Sequence, residues 1–124
     1  MANTVSINVS LSFRAGSLTD QFTANGTFAV TTAAPSKAAG APSIPTTAGG
    51  TALGLGSLTT PGWMFAKNLD ATNYVDLGLV TGGTFYPFAR LLPGEAAVLR
   101  LGLSAPYARA NTAAVLLEYE LYDA

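Results

Sequence analysis

The sequence predicts an all-β chain: a single-domain antiparallel β-sandwich, jelly-roll-like, with eight or nine strands across residues 1–124. Three observations predict it. Apolar and polar residues alternate with period two in several stretches, most strictly at 5–13 and 115–122. Turn residues recur at spacings near ten residues, as in sandwiches and barrels. No stretch carries the 3.6-residue apolar period of an amphipathic helix.

The elements follow in order. Val5, Ile7, Val9, Leu11 and Phe13 alternate with Ser6, Asn8, Ser10 and Ser12, giving one apolar and one hydroxyl-rich face. The odd-numbered face is expected in the core. Asn25-Gly26 reads as a turn after Phe22, and Thr27 to Thr32 is β-branched and aromatic enough for the next strand. Residues 33–50, AAPSKAAGAPSIPTTAGG, change character, with Pro35, Pro42, Pro45 and three glycines. Proline removes backbone donors and glycine raises the entropy cost of ordering, which excludes a central strand or a helix. The segment is expected to lack regular structure, as a flexible connection or as an arm over a neighbouring subunit.

Leu53, Leu55 and Leu58 suggest a short strand, ended by the turn sequence Thr60-Pro61-Gly62. Trp63, Phe65 and Leu69 then share a parity with Lys67. Asp70-Ala71-Thr72-Asn73 reads as a turn, because Asp and Asn side chains bond nearby amides. Val75, Leu77 and Leu79 alternate with Tyr74, Asp76 and Gly78 until Gly82-Gly83. Phe85, Tyr86 and Phe88 surround Pro87, which points to an edge strand or a bulge. Leu92-Pro93-Gly94-Glu95 has the type II arrangement, so it predicts a corner between sheets rather than a tight hairpin. Ala97, Leu99, Leu101 and Leu103 are expected inward and Arg100 outward. After Pro106, Val115, Leu117, Tyr119 and Leu121 alternate with Leu116, Glu118, Glu120 and Tyr122.

Composition narrows function. Charged residues make up only 10% of the chain, against roughly 25% in ordinary soluble domains. Residues 1–62 hold just Arg14, Asp20 and Lys37. A surface this sparsely charged favours a chain that works against neighbours. Without His or Cys there is no imidazole base, thiol nucleophile, disulfide or His/Cys zinc site. The six cations are dispersed and the net charge is -1, which argues against a nucleic-acid partner. No apolar run reaches the ~20 residues of a membrane span, and the N-terminus shows no secretory leader. The sequons at Asn8 and Asn25 therefore read as chance matches.

Candidate chemistry is thin. Glu118 and Glu120 share a strand face and resemble a glycosidase or Ca²⁺ pair, but a solvated face explains them better. Asp70 and Asp76 flank a turn without an EF-hand loop. Gly54-Leu55-Gly56 lacks the rest of a phosphate-binding pattern. Trp63, Phe65, Tyr74, Phe85, Tyr86 and Phe88 suit a sugar-stacking platform, though core and subunit interface are the commoner uses. The sequence therefore predicts no catalytic residues, no metal and no cofactor.

GWMFAKNLDATNYVDLGL, FYPFARLLPGEAAVLRL and YARANTAAVLLEYELYDA resemble small virion structural proteins of tailed bacteriophages, a likeness that covers about half the chain, residues 62–122. The shared features are the aromatic strand before Asn68–Tyr74, the Leu-Pro-Gly-Glu turn at 92–95, and the Ala-rich approach to the final strand. The resemblance implies a non-enzymatic virion component made in the host cytoplasm, foremost a capsid decoration (cement) protein bound to the major capsid protein. A neck, tail or fibre component, or a carbohydrate-binding receptor-recognition module, is the alternative. A homo-oligomer, a trimer or larger ring, is expected. Trp63, Phe85, Tyr86, Phe88 and Tyr107 are the candidate interface residues, because aromatic side chains dominate contact energetics.

Overall fold

In a computed structural model that describes residues 3–102 and 104–124, eleven strands form and every pairing is antiparallel. β1 (Thr4–Ala15) and β2 (Leu18–Ala29) pair only with each other. β3 (Lys37–Gly40), β4 (Ser43–Ile44) and β5 (Thr51–Ala52) are short. β6 (Pro61–Asn68), β7 (Val75–Thr81) and β8 (Thr84–Leu91) follow, then β9 (Ala96–Arg100), β10 (Tyr107–Ala110) and β11 (Val115–Asp123). One sheet runs β5-β10-β7-β8; the other runs β3-β11-β6-β9, with β4 also beside β11.

The two sheets face each other. Ile44, Met64, Leu117 and Leu121 from one meet Val75, Leu77, Leu91 and Ala108 from the other in a single buried cluster. The all-β antiparallel sandwich expected from the alternation is what the chain adopts. β11 shows the cleanest pattern, with Val115, Leu117, Tyr119 and Leu121 inward. Asp70 makes its turn by accepting from the Thr72 and Asn73 amides at 2.9 and 2.6 Å. Gly82 and Gly83 both have left-handed φ, +58° and +78°, as a two-residue type I′ hairpin requires. β8 is an edge strand, and a register shift at Leu77/Gly78 lies beside Pro87. The Leu92–Glu95 turn carries the chain from β8 in one sheet to β9 in the other.

Residues 33–50 correct an expectation. β3 and β4 keep one register along β11, and the Pro42 carbonyl between them still accepts from Leu117 N. They form one edge strand interrupted at Ala41-Pro42, where a missing donor does no harm. Proline excluded a central strand, as reasoned, but not an edge. With β3 and β4 counted as one, the eight body strands order as 1-8-3-6 in one sheet and 2-7-4-5 in the other.

Other local readings also change. Asn25-Gly26 is not a turn: β2 runs through it, and the hairpin turns at Gly16-Ser17, with Gly16 at φ +59°. Gly26 instead makes room for the Phe28 ring, which a Cβ would meet at 2.6 Å. Thr60-Pro61-Gly62 does not end a strand, since Pro61 begins β6. Leu53 and Leu58 are buried without strand structure beyond Ala52. Ala97 and Leu99 are half-buried and Leu101 is buried, while Leu103 lies outside the described residues.

Candidate functional site

The largest departure from expectation lies at β1–β2. The odd-numbered face of residues 5–13 is not in the core: Val5 and Ile7 are half-buried, and Val9, Leu11 and Phe13 are exposed. Register explains the ribbon's chemistry. Directly paired residues share a face, and the pairs Val5/Phe28, Val9/Ala24, Leu11/Phe22 and Ala15/Leu18 all fall on one side. The other side carries Ser6/Thr27, Asn8/Asn25, Ser10/Thr23 and Ser12/Gln21, and the Ser6 and Thr27 hydroxyls bond at 3.1 Å. The ribbon is therefore amphipathic, about 40 Å long at ~3.4 Å per residue. Its apolar face is open, with Leu11, Leu18 and Phe22 exposed by 61, 62 and 61%. Asp20, opposite Phe13, is the one charge on that face.

The root of the ribbon is fixed to the body. The Ala124 carbonyl accepts from the Thr31 and Thr32 amides at 3.0 and 2.9 Å. Beside it, the buried Asp123 carboxylate accepts from the Ser36, Thr59 and Thr60 amides at 2.7–3.1 Å. Burial alone would push this carboxyl up; the Thr60, Ser36 and Thr59 amides and the Thr60 hydroxyl outweigh burial and hold it below its ordinary 3.8. Phe28 packs on Trp63 with ring centroids 5.4 Å apart.

Between the root and the outer face of β6–β9 lies a groove of about 270 Å³. Val5 and Ile7 form one wall; Trp63, Phe65 and Val98 form the other. Arg100 sits over the Trp63 ring at 5.8 Å. Glu120 also lines the groove and accepts from the Tyr122 hydroxyl at 2.6 Å. That hydrogen bond, with burial and the adjacent negative charge, pushes Tyr122 up to about 12.

The five candidate interface residues separate. Trp63 is half-buried in the groove, and its Nε1 is buried with no hydrogen-bond partner among the described residues. Phe85 is a correction: it is buried, folded over Gly50 and Gly78, with the Arg109 guanidinium 4.7 Å above its ring. Tyr86 and Phe88 are exposed near the open β8–β9 side, where Phe88 lines an apolar recess with Leu79, Leu99 and Leu101. Tyr107 is half-buried in β10. The aromatics form no single platform, because Tyr74 and Phe85 lie beneath Arg90 and Arg109 and the others are dispersed.

The polar candidates are structural where their partners are visible. Asp70 caps its turn. Asp76 lies in register between Arg109 and Arg90 on the outer face, with Arg90 Nε donating to it at 2.7 Å and the Arg109 guanidinium in ion-pair range at 3.9 Å. Glu118 is exposed and paired in register with Lys67. Among the described residues, no three His, Cys, Asp or Glu gather as a metal-binding group. No helix among them is long and apolar enough to cross a membrane.

Comparisons with protein-family models, curated proteins and solved structures find no match for this chain. The residues that sequence reasoning missed are Leu18, Phe22 and Phe28. Their signal was present, since all three are even-numbered in a stretch whose odd positions are mostly Thr, Gln and Asn. Asn25-Gly26 hid it by resembling a turn.

Proposed function

We propose that this chain is a structural subunit of a tailed-bacteriophage particle, acting by assembly and without turnover, as a capsid decoration protein does. The observation that carries the reading is the amphipathic ribbon, whose apolar face is open in the single chain. Exposed patches of this size are characteristic of surfaces that meet a partner. The body supports the same reading. Its order of 1-8-3-6 against 2-7-4-5 supports a jelly-roll reading of the sandwich, an architecture used by viral capsid proteins and also by lectins. The resemblance of residues 62–122 to small virion proteins selects the first of these uses.

Mass spectrometry of purified particles from the phage that encodes this chain tests the proposal. A fixed stoichiometry to the major capsid protein is expected. Absence from the particles would overturn the proposal. Presence confined to neck, tail or fibre fractions would overturn the decoration assignment, and specific glycan binding by such a fraction would establish the receptor-recognition alternative.

A further inference from the structure

We propose that the tip of the ribbon seats on a second copy of this chain, in the groove between that copy's ribbon root and its β6–β9 face. The inference rests on the assembly reading above and names its joint. Three observations choose a second copy as the occupant.

The first is area. The exposed parts of Val9, Leu11, Phe13, Leu18 and Phe22 amount to on the order of 500 Å², taking about 200 Å² for a phenyl side chain and somewhat less for an aliphatic one. Covered by an equal area, this reaches about 1,000 Å², the threshold of a specific interface. The second is shape and polarity. The groove is apolar on both walls and opens beside the face whose distal half is uncovered. One chain thus carries both an apolar projection and an apolar recess, the requirement for a joint between like subunits.

The third is charge. Asp20 is the one ionised group on the apolar face. Arg100 lies 5.8 Å from the Trp63 ring, just outside the groove's own lining, and it forms no ion pair among the described residues. The groove's own acid, Glu120, is engaged by the Tyr122 hydroxyl. A tip entering the groove brings Asp20 toward Arg100, which stands two positions along the strands from Glu120, the acid that keeps its own charge. The polar face, free of acids and carrying only Arg14, stays in water.

Light scattering and cysteine cross-linking test the joint, and the absence of native cysteine leaves a clean background. The wild type should be oligomeric at tens of micromolar. Leu11→Asp and Phe22→Asp should each reduce it to monomer with an unchanged unfolding midpoint, because neither residue belongs to the core. Asp20→Arg and Arg100→Asp should each weaken association at least tenfold, and mixing those two variants should restore it. Chains carrying Leu11→Cys and Val98→Cys, mixed and oxidised, should form the mixed disulfide, whereas Ser10→Cys should not pair with Val98→Cys.

An oligomer indifferent to Leu11→Asp and Phe22→Asp overturns this inference and leaves the virion reading standing. Exclusive Leu11→Cys homodisulfides overturn the groove as the seat. A wild-type monomer that forms no mixed disulfide, yet is found in purified particles, also overturns the second copy as occupant and assigns the ribbon to another virion protein. Absence from particles is the separate result that defeats the virion reading.

Discussion

Asp123 ties three segments of the molecule together. Its carboxylate receives amide protons from the stretch before β3 and from the stretch before β6. Ala124 beside it holds the segment that leaves the ribbon. Replacing it, Asp123→Asn, is expected to cost about 2 kcal/mol, the range for hydrogen bonds to a charged group. The sign of its pH dependence follows from its lowered folded-state value. The stabilisation is complete above the ordinary aspartate value of 3.8 and is lost as pH falls through the lower, folded-state value. Denaturant unfolding of both proteins across acid pH should show the difference narrowing on the acid side, and a difference constant down to full protonation would contradict it. Nothing in the sequence marked this role. Asp123 follows an apolar strand and looks like a solvated end; its partners are 63 to 87 residues away. Asp70 was legible for the opposite reason, since its amide partners are two and three residues on.

The ribbon is where the sequence was most readable as an element and least readable as part of a whole. Period-two alternation identifies a strand with one apolar face, and that is correct for β1. It does not identify what covers the face. A core sheet and an uncovered arm produce the same pattern, and only the surrounding topology separates them. Residues 33–50 show the converse, since Pro42 weakened the local signal while the long-range register along β11 kept the strand. A two-stranded ribbon without a covering layer is marginally stable in water. Hydrogen exchange in dilute, dissociated protein should therefore show fast amides across 4–29 and slow ones in β6, β7 and β11. On assembly the ribbon amides should slow at least tenfold while the body stays unchanged. Ribbon amides as slow as those of the body in a dissociated monomer would mean that the arm is stable by itself.

For the molecule as a whole, a low charge content, an uncovered apolar arm and an apolar groove are consistent with one another. A chain with 10% charged residues has few means of keeping a large apolar surface soluble as a monomer. The same deficit is visible in composition, which is why the sequence leads to an expectation of assembly but names no joint. The expected contact residues were aromatics of the body, and one of them, Phe85, is engaged within its own sheet by Arg109. The ribbon's aliphatic and phenyl groups are the larger open surface. Cryo-microscopy of the particle that carries this chain tests the account most directly. The β-sandwich body is expected at symmetry-related positions, with each ribbon ordered and its apolar face covered in a neighbouring copy's groove. Particles without the chain, or a chain bound with its ribbon extended free into solvent, would contradict it.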